Sequence, residues 1–427
     1  MKKFKFLFFT LLLTSSALLT SCGDDDEPNA GRNPYPNEAV STGTYYVYNN
    51  IAFNVAGRNA TVIGFEANKY SMSELNVPAN ISFFDNSTKT YIQCTVIGIE
   101  SQAFEACTDL VNVVIANGIT NIGDGAFKNC YRIRQIGIPN SVTNIGDEAF
   151  FNCSGANSLT MGEQLKTIGA KAFKGCKNLK EVTIPNNVTT IGDDAFDECG
   201  LQSLTVGKSV SNIGPGSLPT TLVLYWNAKN CTSVNTPSRM IFPVICNELV
   251  LGNEVEVIPE YFMSNMPIEK LVIPNSVIRI GKKAFSYCAQ LEEITFGNSL
   301  KEIGENAFEY CRGFNELRFP NSLEVIGANA FTNNDPHLRK VVFGTGLRKI
   351  EDRAFYLNNA LEVFVFKGNT PPEIGNAALS VERYASQTNY AYVPDASIEA
   401  YARAFGFSSA SEASGWLKPL SSYNGDY

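Results

Sequence analysis

Seven cysteines fall on one beat: Cys107, Cys130, Cys153, Cys176 and Cys199, then Cys288 and Cys311, each 23 residues from the next within its run. An Ala-Phe pair leads every one of them, from Ala103-Phe104 to Ala307-Phe308, and an isoleucine stands five residues before each phenylalanine, from Ile99 to Ile303. No other feature constrains the fold as tightly. A unit this short cannot bury its apolar face alone, so successive copies must stack into a solenoid with a continuous core.

Leu179 to Cys199 serves as the type unit. Val182 and Ile184 alternate with the polar Glu181 and Thr183, the period-2 pattern of a strand with one buried face. Pro185 ends that strand, because proline cannot donate to a ladder. Gly192 suits a tight bend with unusual dihedrals, and Ala195-Phe196 reads as a short helical turn whose ring enters the core. Inward pairs recur from Val113/Ile115 to Phe364/Phe366 and include Leu222/Leu224. The beat falters between Leu201 and Phe262, where Ser217-Leu218 replaces Ala-Phe. Phe196 and Phe262 are nevertheless 66 residues apart, three units of 22, so register is expected to survive a degenerate turn at about 219–250.

The same beat reassigns the cysteines. In units lacking cysteine, the residue three after the phenylalanine is Asn265, Asn334 or Asn358. Asparagine cannot form a disulfide, so the shared position reads as a buried ladder of unbridged side chains. One cysteine per turn also lacks the paired spacing of zinc clusters. Cys94, Cys231 and Cys246 lie off the ladder, and a Cys231–Cys246 bridge stays open at this point.

The N-terminus reads as an export leader: Lys2, Lys3 and Lys5, then an apolar run from Phe6 to Leu13 and on to Leu19, too short to span a bilayer. It ends in Leu19-Thr20-Ser21-Cys22, which resembles a bacterial lipobox and implies lipidation of Cys22. The acidic run Asp24-Asp25-Asp26-Glu27 resembles the surface-export signal of Bacteroidetes lipoproteins. Without the leader's three lysines, the 34 basic residues fall to 31 against 42 acidic ones, so the formal net charge moves from −8 to −11. That balance opposes binding to nucleic acid or to an anionic membrane surface.

The concatenated motifs I-G-x-x-A-F-x-x-C and L-x-x-[VI]-x-[IF]-P resemble the BspA-type, or Treponema-type, leucine-rich repeat family over roughly residues 96 to 370. The resemblance implies an α/β leucine-rich-repeat solenoid. Each repeat would carry one short strand, with short helical or 3-10 turns on the other side. The expected organisation is a lipoprotein signal peptide (1–21), a flexible acidic tether (22–42), a β-rich N-terminal cap (43–95), the repeat domain (96–380) and a C-terminal cap (381–427). In that last cap a helix is expected after Pro394, with Asp395 or Ser397 as its N-cap. The family further implies an outer-membrane lipoprotein exposed on the cell surface and engaged in adhesion.

No catalytic motif accompanies this scaffold, and no enzyme, cofactor or metal is expected. The one histidine, His337, falls in a loop. Recognition is therefore assigned to the outward strand positions. Lys270, Glu293, Glu316, Arg318 and Lys340 are the candidate binding residues, with a host, matrix or other cell-surface protein as partner and lipid on Cys22 as the membrane attachment. The outward columns read from the regular units hold no aromatic, which favours protein over glycan. A glycan-capturing alternative would use Trp226, Tyr225 and Tyr261, and a purely structural envelope role is a third reading.

Overall fold

The computed structural model describes residues 38–66, 71–219, 221–234, 246–379 and 389–426. The leader, Cys22 and the tether up to residue 37 lie outside these.

The repeats stack as a parallel solenoid with two ladders. The first contains the expected strands, such as Glu181–Thr183 beside Ser203–Val206 with Val182 opposite Leu204. The second was not anticipated. It is built from two-residue strands ending in the repeat isoleucine, so that Ile122, Ile145, Ile168, Ile191 and Ile213 pair in series. A corresponding series runs from Ile258 to Ile374.

The Ala-Phe segments form turns rather than helix. Residues at two positions of each turn adopt left-handed φ, for instance Glu148 at 53° and Asn152 at 56°. Alternate N–H groups therefore leave the turn and reach the next repeat: Glu148 donates to Ala170 O at 2.8 Å, Phe150 to Ala172 O at 2.8 Å and Asn152 to Lys174 O at 2.8 Å. The intervening groups bond within the turn, as Cys153 N does to Phe150 O at 3.2 Å. The regular repeats are thus each tied to the next on this side as well as through their strands.

The repeat glycines answer to a different cause from the one expected. Gly192 has no left-handed φ; instead a Cβ there would lie 2.4 Å from Ala170 N and 2.6 Å from Gly169 C. Backbone of one turn rests on backbone of the next, and neither can move aside. Gly192→Ala is expected to destabilise the chain by about 1–3 kcal/mol, in the range of overpacking a tight core. A urea midpoint equal to that of the parent chain would refute the close-approach account.

The ladder position explains the exchange of cysteine and asparagine. Cys130, Cys153, Cys176 and Cys199 each donate Sγ–H to the phenylalanine carbonyl of the preceding turn, at 3.1–3.4 Å. Asn358 Nδ2 makes the same bond to Phe331 O at 2.8 Å, and its Oδ1 accepts Asn334 N–H at 2.8 Å. Asn334 Oδ1 in turn accepts Cys311 N–H at 2.8 Å. Asn265 does not belong to this series. It is exposed at φ 63°, and the buried Met266 takes the slot. The register there is one residue later than the 66-residue spacing suggested: Met263, not Phe262, bonds to the next turn as the phenylalanines do, and Cys288 Sγ donates to Met263 O at 3.1 Å.

The degenerate turn shows the same kind of shift. Its strand is Val223–Trp226, paired with Ser203–Val206 on one side and Glu248–Leu251 on the other. Leu224 and Trp226 face inward while Leu222 is exposed, so the inward pair is Leu224/Trp226 rather than Leu222/Leu224. Trp226 packs 4.4 Å from Phe262 and fills the gap left by the missing Ala-Phe. Cys231 and Cys246 are both buried free thiols.

Both caps extend the ladders. Glu74–Val77 pairs with Asn112–Ile115, and Thr90–Ile99 leads into the second ladder through Ile99 opposite Ile122. The N-terminal sheet begins at Val40, inside the stretch read as tether. At the other end Tyr390–Val393 and Leu417–Pro419 add two parallel strands after Val363–Phe366. Helix Ile398–Ala404 follows a 3-10 turn after Pro394, but neither proposed N-cap side chain caps it. Asp395 instead accepts the N–H of Ser421 at 3.0 Å, from a segment far along the chain.

Candidate binding surface

Outward side chains of the first ladder form rows, because each parallel strand pairs in register with its neighbour. In one row Thr205, Tyr225 and Val250 stand side by side. The corresponding position two strands along from Tyr225 is Val272, which is 66% exposed, while Tyr225 is 42% exposed. Leu222, just before the degenerate strand, is also exposed. The columns read from the regular units missed Tyr225 because the inward pair there was placed two residues early. An aromatic residue does stand in the outward row. The missed signal was Trp226, an inward aromatic alternating with Tyr225.

Beside this strip Lys270 and Glu293 lie opposite one another and pair at 2.8 Å. The neighbouring carboxylate raises the Lys270 ammonium above its ordinary range. Both groups are well exposed, so the pair contributes little to stability and stays available to a partner.

Glu316, Arg318 and Lys340 form a second group nearer the C-terminus. Arg318 Nε lies 2.7 Å and Lys340 Nζ 3.4 Å from Glu316 Oε1. Lys340 in this group is not open surface. The backbone carbonyl of Asp426 accepts from Lys340 and, at 3.2 Å, from Arg318, and the Tyr423 ring lies 5.4 Å from the Lys340 ammonium. Lys340 is accordingly only 17% exposed, against 74% for Lys270.

Trp226, proposed for sugar stacking, is fully buried and cannot offer a face to a ligand. Tyr261 is half-buried at φ 57°, away from the strand rows. His337 is exposed on its turn. Among the described residues no group of three His, Cys, Asp or Glu side chains could hold a metal ion. A shallow groove of about 520 Å³ runs between Ser158–Thr160 and Glu181–Thr183 and is lined by hydroxyls and the carboxylates of Glu163 and Glu181.

A parallel stack of short repeats, holding side chains in rows on a strand surface, defines a leucine-rich-repeat scaffold of the kind that binds through an extended face. Residues 97–220 and 256–383, more than half of the chain, match the BspA type leucine rich repeat region, and the chain belongs to that family. Among solved structures it is similar to a leucine-rich repeat protein from Bacteroides ovatus, at 24% identity over 75% of this chain and 94% of that one, with a TM-score of 0.43. It is also similar to a leucine rich cell surface protein from Faecalibacterium prausnitzii (22% identity, 79% and 96% covered, TM-score 0.37). A third similar structure is a leucine rich repeat protein of T. pallidum (18%, 62% and 88%, TM-score 0.34). No curated protein matches the chain.

Proposed function

We propose that this chain is a non-enzymatic lipoprotein of the outer membrane, displayed on the cell surface through lipid on Cys22, and that its strand surface binds a protein partner. The observation that carries the binding reading is the exposed outward row of Tyr225 and Val272 beside the Lys270–Glu293 pair. Apolar and aromatic side chains held outward on a rigid ladder, with charge at the rim, are the composition of a protein interface. The lipobox-like Leu19-Thr20-Ser21-Cys22 and the acidic run behind it support the anchor and its orientation.

The test is capture of matrix and bacterial surface proteins on the immobilised full chain. Tyr225→Ala with Val272→Asp is expected to lower capture at least about tenfold, the loss of a small interface hot spot. Tyr287→Ala, an exposed aromatic on the turns, should leave it unchanged. Equal capture by both variants would refute the strip. For the anchor, Cys22→Ser should move the protein out of the membrane fraction, and protease shaving of intact cells should cleave the parent; survival in either case counts against display.

A further inference from the structure

We infer that the strand surface from Glu316 to Tyr392 is a site for an extended polypeptide segment bearing an aromatic side chain and, three residues later, an acidic residue, and that residues 420–426 are its intramolecular occupant. This deepens the binding reading above by naming the partner's chemistry at one end of the ladder.

The contrast within single rows carries the inference. Val272, Val342 and Val365 occupy the same outward row, yet Val272 is 66% exposed while Val342 and Val365 are 2% and 0% exposed. Outward valines on a ladder face water unless something lies over them. At this end of the row the chain's own tail touches the residues that flank them. Ser421 N–H is pinned on Asp395 at 3.0 Å, the Tyr423 ring packs 4.7 Å from Tyr392 and sits over Lys340, and the Asp426 carbonyl meets Arg318 and Lys340.

These contacts are of a kind that can exchange. Ser421, Ser422 and Asn424 to Asp426 are exposed, and only Tyr423 is partly buried. A segment held by one ring and a few polar bonds opens at low cost compared with the packed core. The site is also imperfectly matched by its occupant. Arg318 and Lys340 face one carboxylate, Glu316, and a peptide carbonyl. A carboxylate in the carbonyl's place would bring a full negative charge to two cations that share only one, adding ion pairing to bonds whose donors are already charged. At Lys270–Glu293, by contrast, charge is already balanced across the strands. The tail therefore marks the kind of ligand that fits, and a segment that sets its carboxylate where the Asp426 carbonyl lies would outcompete it.

The probe is a fluorescent synthetic peptide of residues 420–427, alongside the same peptide with alanine in place of Tyr423. It is titrated against the full chain, the full chain carrying Tyr423→Ala, and that variant with Arg318→Ala and Lys340→Ala added. Tyr423→Ala, which loosens the strap, is expected to bind the probe at least tenfold more tightly than the parent chain. The added substitutions should remove the gain, and the alanine peptide should not bind. No gain with Tyr423→Ala, or a gain that survives loss of Arg318 and Lys340, overturns the inference. A chain ending at Pro419 gives a second reading if it melts at the parent temperature: failure to bind the probe would again overturn it. None of these measurements depends on Tyr225 or Val272, so this inference and the central strip stand or fall separately.

Discussion

Phe150→Ala is expected to lower the free energy of unfolding by about 3–5 kcal/mol, the cost of removing a large buried aromatic side chain. Phe150 is 1% exposed and lies between Phe127, at 5.1 Å and 6°, and Phe173, at 5.4 Å and 1°. Near-parallel rings at that spacing are offset-stacked, a favourable arrangement beyond area burial. Truncation removes two ring contacts at once and leaves a void that the hydrogen-bonded turns on either side cannot close. Because a solenoid is stabilised by nearest-neighbour interfaces, both interfaces of that repeat weaken together. Urea unfolding followed by circular dichroism measures the loss, and a change below about 1 kcal/mol would refute the account. The protein's own irregular turn makes the same point. Where Ala-Phe is missing, Trp226 comes in from the strand side to pack on Phe262.

The ladder thiols are expected to be inert in the native protein and to react freely once it is unfolded. Burial pushes Cys130 and Cys199 up to about 12 and Cys231 up to about 11, and raises Cys153, Cys176 and Cys311 well above the ordinary value. At neutral pH a thiol at about 12 instead of 9.0 carries roughly a thousandth of the usual thiolate. A thiol reagent should therefore find these six thiols unreactive in the native chain, and all ten described cysteines reactive in denaturant without reductant. Fast labelling of several ladder thiols in the native state would sink this reading. A pH dependence follows from the same shifts. The native pKa lies above the unfolded one, so the stabilisation is complete below about pH 9 and declines as pH rises toward 12, because the unfolded chain releases thiol protons that the native chain retains. Each such thiol contributes up to about 1.4 kcal/mol per pH unit in that window. Melting temperatures should be level from pH 7 to about 8.5 and then fall; a flat profile through pH 11 would contradict it.

Much of the scaffold was legible because its signals are local and repeated. Val182/Ile184 alternation, the prolines that end four of the strands (Pro139, Pro185, Pro274 and Pro320) and the cysteine–asparagine column each recur in register, so one unit explains its neighbours. The irregular turn was harder. Leu222 and Leu224 look alike in a pattern of apolar residues, and only pairing with Ser203–Val206 and Glu248–Leu251 shows that Leu224 and Trp226 are the inward pair. A separate one-residue shift in the next turn placed Asn265 on the ladder in place of Met266. Two-residue strands such as Thr190–Ile191 are too short to leave a period-2 pattern, which is why the second ladder was invisible.

From sequence alone come the period, the stacked repeat, the buried phenylalanines and the assignment of the cysteines to architecture. The tertiary structure decided why glycine must stand where it does, since only neighbouring turns reveal that a Cβ at Gly192 would strike Ala170. It also decided which outward residues are free. Lys270 and Lys340 occupy the same column and are indistinguishable in the repeat, yet one is open and the other lies under Tyr423 and Asp426. The contacts responsible span 86 and 108 residues of chain. A repeating pattern encodes what each turn does to the next, and contacts at that range leave no trace in it.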